Sequence, residues 1–293
     1  MTATAVAAPA ARRRSARVIV RESLFYLAVV IVVLIALFPF YWILRTSLES
    51  DAQVAAGVGG ANGVIPGSLS GAAFRDVFTQ QQFLKPLVNS IIVALSTTLV
   101  TVVVASMAGY ALARLHIRGA GAILAFILLA GFFPVLAMIG PLFLMLRSIG
   151  ALNSIYPLII VYLVYTLPIS TWLLKSFFEQ VPLELEDAAL TDGATRLQTL
   201  LRIVVPVAVP AVFTAAILSF ILAWNDFAFA VSFLTTTSQF TAPLAITTFG
   251  QSGYQTYYNL IDAAVVIISI PIALLVLFAQ RRIVAGLTAG SFR

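Results

Sequence analysis

The chemistry open to this chain is narrow. It holds eleven carboxylates, one histidine (His116) and no cysteine. A disulfide, a thiolate metal site and a cysteine nucleophile are excluded, and one imidazole cannot build a multi-histidine metal centre. No resident metal is expected. His116 lies between Arg114 and Arg118, which reads as a basic turn, not as half of a hydrolytic pair. Five of the carboxylates, Glu179, Glu184, Glu186, Asp187 and Asp192, fall within one short stretch. Two others, Asp226 and Asp262, stand in apolar surroundings. No Gly-x-x-x-x-Gly-Lys-Ser/Thr phosphate loop is present, so the chain carries no ATPase of that kind.

The acidic stretch predicts two short helices. Pro182 suits a first helical position. The acids behind it complement the positive end of the helix dipole. Asp192-Gly193 reads as a turn, because glycine enters positive φ without penalty. Thr195 followed three residues later by Gln198 is a capping box opening the second helix. Ala188 and Ala189 supply small side chains against which another backbone could approach.

The elements that must position this segment are set by composition. Hydrophobic residues make up 61% and charged residues 10% of 293, with a mean hydropathy of +1.05, against about 45–50% and about 25% in soluble domains. A lipid-crossing helix needs about 20 apolar residues. Six runs qualify, over about 24–44, 86–112, 120–146, 155–178, 206–234 and 259–278. The fold class expected is an all-α integral membrane protein of six transmembrane helices, with the helix–turn–helix of 179–205 between the fourth and fifth. Residues 1–23 read as a basic disordered tail, 24–290 as a single transmembrane domain and 291–293 as its end. Thirteen of the seventeen Lys and Arg residues fall on one side of this topology, which puts both termini and the 179–205 segment in the cytoplasm. The basic residues serve topology and contact with membrane lipid, and no nucleic-acid partner is expected.

On that topology Asn89, Asn225, Asp226 and Asp262 all lie toward the outer ends of their spans, which suggests either interfacial capping or a polar vestibule. The outer loop between Arg45 and Lys85 is glycine-rich and should be irregular, with one short helix near Phe74–Phe83. Pro134, Pro141, Pro168 and Pro271 mark places where spans can kink. Ser96, Thr97, Thr98, Thr101 and Ser106 are more consistent with contacts between helices than with a lined path.

Asp187-Ala188-Ala189, three residues, Gly193, nine residues, then Ile203-Val204-Val205-Pro206 resembles the EAA loop of binding-protein-dependent ABC importer permeases. Asp187 replaces the usual Glu and Val205 the usual Leu. Ala223-Trp224-Asn225-Asp226-Phe227 is similar to a stretch in the fifth core span of the carbohydrate-importer branch, and Asn89-Ser90 to the opening of its second span. The ending Gln280–Gly290 resembles the tail of the maltose-permease-like six-span half.

The resemblance implies a non-catalytic permease subunit of an ATP-driven sugar importer in a bacterial plasma membrane. Its partners would be a second permease, two cytoplasmic ATPase subunits and an external solute-binding protein or lipoprotein. ATP and Mg would be held by the ATPases and no cofactor by this chain. The residues implied in coupling are Glu186, Asp187, Ala188, Ala189, Asp192, Gly193, Ala194, Ile203 and Pro206; those implied along the solute path are Asn89, Asn225 and Asp226. The cargo expected is a disaccharide or short oligosaccharide, with a glycerol phosphodiester as the alternative. A gradient-driven secondary transporter is the competing class, but its inverted repeat and mid-membrane ionisable residue are not seen.

Overall fold

The computed structural model describes residues 16–55, 69–249, 251–252 and 255–289. Expectations for most of the basic tail, for the glycines between Gly57 and Gly67 and for the last four residues fall outside them.

Fourteen helices are described in chain order: α1 Ala16–Ser47, α2 Asp51–Ala55, α3 Ala72–Thr79, α4 Leu84–Arg114, α5 Ala120–Gly131, α6 Val135–Ser148, α7 Tyr156–Phe178, α8 Leu183–Thr191, α9 Arg196–Thr199, α10 Val205–Val207, α11 Val209–Trp224, α12 Ala228–Phe233, α13 Ala242–Ile246 and α14 Tyr258–Ala289. A π-turn over Leu200–Val204 joins α9 to α10, and a two-residue β-pair, Gln251–Ser252 with Gln255–Thr256, precedes α14. Four helices, α1, α4, α7 and α14, are long and apolar enough to cross a membrane; counting each of two sharply bent pairs as a single span makes six.

The bends correct two expectations of continuous spans. Residues 120–146 are not one helix: α5 and α6 meet at 85°. Pro134 has no amide hydrogen to donate and takes an extended ψ of 116°, so the i→i−4 ladder stops there. The run from Pro206 is also divided. The segment Arg196–Val207 meets α11 at 86°, where Ala208 leaves helical geometry (φ −91°, ψ 16°) between Pro206 and Pro210. At its far end α11 stops at Trp224, and α12 resumes at Ala228. By contrast Pro141, Pro168 and Pro271 are carried inside α6, α7 and α14. Helix also extends past two expected span ends: α1 already begins at Ala16, within the tail read as 1–23, and α14 runs on through the segment read as a C-terminal tail.

α4 is the central post, about 46 Å long at 1.5 Å per residue. It packs on α7 and α11; α11 also packs on α7 and α14, and α1 on α14. The α4–α7 seam is close because its residues are small or hydroxylic. A Cβ on Gly109 would sit 3.0 Å from the backbone nitrogen of Lys175. Thr101 and Thr166 share a 2.8 Å hydrogen bond across the seam. With lipid as apolar as leucine, close packing and such bonds hold helices together.

The core falls into three parts along the bundle. One, around Val93, Leu158, Tyr162, Trp224 and Phe229, lies toward the start of α4. A second, around Tyr110, Leu174, Phe178, Leu200 and Val204, lies at its end, beneath α8. A third, around Ala73, Val77, Phe83, Phe249 and Ala263, seals α3 and α13 onto the head of α14.

Candidate functional site

The α8–α9 segment is built by its own local chemistry. Pro182 stands just before α8 with φ −56° and ψ 131°, one residue earlier than its sequence position suggested. Glu184 and Glu186 occupy the first turn, where negative charge is favoured. Gly193 closes the helix at φ +88°. Its amide donates to Leu190 O and that of Ala194 to Ala189 O, the paired bonds of a Schellman end. Thr195 and Gln198 then form the reciprocal capping box: the Gln198 amide donates to Thr195 Oγ1 at 3.3 Å, and the Thr195 amide to Gln198 Oε1 at 2.8 Å.

The two faces of α8 differ. Asp187, Ala188, Asp192 and Gly193 are exposed, with Pro206 beyond them; Ala194 and Ile203 are half-buried. Exposed beside them are Leu183 and Leu185 on α8, Leu197 on α9 and Leu201 on the π-turn. These leucines were not singled out in the sequence, where apolar residues are the common background. Glu186 and Ala189 turn the other way and are buried, so the small-residue patch is split between the faces.

Glu186 is 1% exposed, and its partners come from α4. The Arg114 guanidinium pairs with its carboxylate at 2.7 Å, and the Tyr110 hydroxyl donates to it at 3.1 Å. Arg114 also donates to Phe178 O at 2.6 Å and to Val181 O. One guanidinium thus joins the end of α4, the end of α7, the following link and α8. From sequence Arg114 counted only as a charge setting topology, and Tyr110 drew no notice. A buried acid demands a cationic partner, but chain order does not say which one.

The opposite end of the bundle gathers Asn89, Asn225, Asp226 and Asp262, and gives them separate tasks. Asn89, at the start of α4, is buried and donates through Nδ2 to Ser238 O (3.0 Å) and Phe240 O (2.9 Å). Ser90 accepts from the Ala242 amide at 2.8 Å. Together they fasten the segment between α12 and α13. Asn153, at φ +58°, holds the same segment from the other side, its Oδ1 accepting from the amides of Thr235 and Thr236. Asp226 accepts from the Tyr162 hydroxyl at 2.7 Å and the Ala230 amide at 3.2 Å, which closes the open first turn of α12. Asp262 lies beside Thr46 and Glu49. Asn225 is exposed, and its Nδ2 donates to Ile221 O. All three residues read as a solute path therefore have a polar group engaged with the fold, Asn89 and Asp226 across elements and Asn225 only on its own helix. A cavity of about 330 Å³ opens at this end between Gln80, Gln82, Lys85, Thr237 and Thr248. Among the described residues no group of three His, Asp or Glu side chains is placed to hold a metal ion.

The sequence model of the binding-protein-dependent transport system inner membrane component family matches residues 101–288. The trehalose transport system permease protein SugB of Mycobacterium tuberculosis is 40% identical over 88% of this chain and 93% of its own length. The sulfoquinovosyl glycerol transport system permease protein SmoH of Agrobacterium fabrum is 38% identical over 93% and 94%. The trehalose/maltose transport system permease protein MalG of Thermococcus litoralis is 34% identical over 94% and 98%. Among solved structures, a chain of a bacterial ABC transporter that imports the acidic polysaccharide alginate superposes with a TM-score of 0.76. That match covers 92% of this chain and 99% of the other at 22% identity, a likeness of fold.

Proposed function

The chain belongs to the binding-protein-dependent transport system inner membrane component family, among the sugar ABC permeases, and from that premise we propose that it is one permease half of an ATP-driven sugar importer. Like its relatives it is a non-catalytic membrane subunit. On this reading the α8 end of the bundle is cytoplasmic and meets a separate ATPase that holds ATP and Mg. The opposite end receives solute from an external binding protein, and a second permease completes the path. The relatives named for trehalose and maltose favour a disaccharide or short oligosaccharide as cargo. ATP-driven closure of the ATPases would move α8 and bias the bundle between two states of access.

The observation that carries the reading is the outward face of α8. Asp187 and Ala188 stand exposed on the same helix as Leu183 and Leu185, and the Gly193 turn closes the C-terminal end of that helix. A face that mixes leucines with the exposed acids Glu184, Asp187 and Asp192 suits a cleft with basic residues on the ATPase.

The test is co-purification from detergent-solubilised membranes, comparing wild type with Asp187→Lys and Gly193→Asp, followed by an assay of ATP hydrolysis. Recovery of an ATPase and a second permease with wild type, and their loss with either variant, is expected. A wild-type chain that purifies without an ATPase would overturn the coupling reading and favour gradient-driven transport. The binding protein recovered from the same membranes would then be screened by thermal shift against trehalose, maltose and sulfoquinovosyl glycerol.

A further inference from the structure

We infer that the buried Arg114–Glu186 pair is the strut through which movement of α8 reaches the transmembrane bundle. This rests on the ATPase-coupling reading above. It assigns α4, not the loop ends, as the element that carries the motion.

Chain connectivity alone transmits little. α8 is tied to α7 through residues 179–182, held by single turn bonds such as Gln180 N to Phe177 O. It is tied to α9 through the Gly193 turn. Both links can flex when a load is applied to the exposed face. The strut bypasses them. Arg114 is the last residue of α4, and the opposite end of that helix carries Asn89 and its bonds to the segment before α13. Both side chains of the pair are almost fully buried, at 8% and 2% exposure. Salt screens such a pair poorly, and separating two buried opposite charges costs more than sliding apolar surfaces past one another. Tyr110, one turn before Arg114, braces the same carboxylate. Three other ion pairs among the described residues are local, Arg45–Glu49 and Lys175–Glu179 four residues apart at helix ends and Arg75–Asp76 between adjacent residues. Arg114–Glu186 alone of these bridges two elements.

A purely structural role makes a different prediction. Buried ion pairs can often be exchanged for apolar residues of similar volume without loss of stability. Stability and transmission can therefore be separated. Because the natural chain has no cysteine, a single reporter, Asn225→Cys, can be placed on an exposed position at the opposite end.

The experiment uses the full complex in proteoliposomes. Labelling of Asn225→Cys by a membrane-impermeant maleimide is followed with and without ATP plus vanadate. With the strut intact, trapping should change the labelling rate about tenfold. In the double variant Arg114→Met/Glu186→Met, the ATPase should still co-purify and hydrolyse ATP, while the change in labelling falls to less than about twofold. Glu186→Gln, which keeps an acceptor for the Tyr110 hydroxyl but no charge for Arg114, should give an intermediate response. A double variant that folds, binds the ATPase and responds like wild type would overturn the strut. So would a loss of response that merely follows loss of bound ATPase. If the double variant does not accumulate, Tyr110→Phe decides: a weaker response at unchanged complex yield supports the strut, and an unchanged response overturns it. An intact-strut complex whose labelling ignores ATP and vanadate would count against the importer reading itself.

Discussion

The hydroxyl of Tyr162 donates a 2.7 Å hydrogen bond to the carboxylate of Asp226, joining α7 to the break between α11 and α12 across 64 positions of chain. The same carboxylate oxygen accepts from the Ala230 amide. One acid therefore closes a helix end and satisfies a phenol that is only 1% exposed. Removing the acid leaves both donors unpaired, whereas removing the phenol hydroxyl leaves the carboxylate its amide. Asp226→Ala should lower stability by about 1–3 kcal/mol, Tyr162→Phe by less, and Asp226→Asn, which still offers an acceptor oxygen, least. The apparent midpoint of thermal unfolding in detergent reads the order. A larger loss for Tyr162→Phe than for Asp226→Ala would show that the phenol has another essential partner.

Asn89 makes a sharper prediction, because its role depends on which end of the amide points inward. Nδ2 faces two carbonyl oxygens, those of Ser238 and Phe240. Asn89→Ala forfeits both bonds and leaves the two carbonyls unpaired, which should cost about 1–3 kcal/mol. Asn89→Asp sets a carboxylate against them and should be worse than alanine, although it is nearly isosteric. Proteolysis of the 235–240 segment would rise in the same order. If Asn89→Asp matched wild type in stability and altered only solute uptake, Asn89 would return to the path-lining role its position first suggested.

These two residues show where sequence reading succeeds and stops. The long helices are legible because a span must be apolar for about 20 residues, and that constraint is written locally. The end of α8 and start of α9 are legible for the same reason: Gly193, Thr195 and Gln198 act on their own backbone. The inward turn of Glu186 is not legible, since its partner Arg114 closes a different helix. Nor is the latch at Asn89, whose partners are loop carbonyls 149 and 151 positions away. Proline alone was ambiguous. Pro134 breaks the chain between α5 and α6 while Pro168 is carried within α7, and what surrounds each, not the residue, decides.

That contrast has a measurable consequence at Gly131, the last residue of α5. A Cβ there would lie 2.8 Å from Cβ and 2.9 Å from Cγ of Pro168, and a pyrrolidine ring has little room to yield. Gly131→Ala should therefore destabilise by about 1–3 kcal/mol, as overpacking does. Gly140, within α6, meets nothing within 4 Å. There Gly140→Ala should be neutral or stabilising by up to about 1 kcal/mol, because alanine restricts the unfolded chain. Thermal unfolding of the two variants side by side tests the pair. Equal effects would show that α5 and α7 can separate without cost.

Gly193 is constrained differently. A Cβ added to it would also meet open space, so no clash forbids a side chain; the restriction is the positive φ of 88°. An L-residue in that conformation costs about 1–2 kcal/mol, and asparagine is the residue that tolerates it best. β-Branched residues tolerate it worst. If the turn matters by holding α8 in its docking pose, ATPase recovered by co-purification should fall in the order glycine, asparagine, alanine, valine. Asparagine would retain most of the bound ATPase despite being larger than alanine. A series that followed side-chain volume instead, with alanine above asparagine, would mean that the partner packs directly onto Gly193 and that contact, not backbone conformation, selects glycine there.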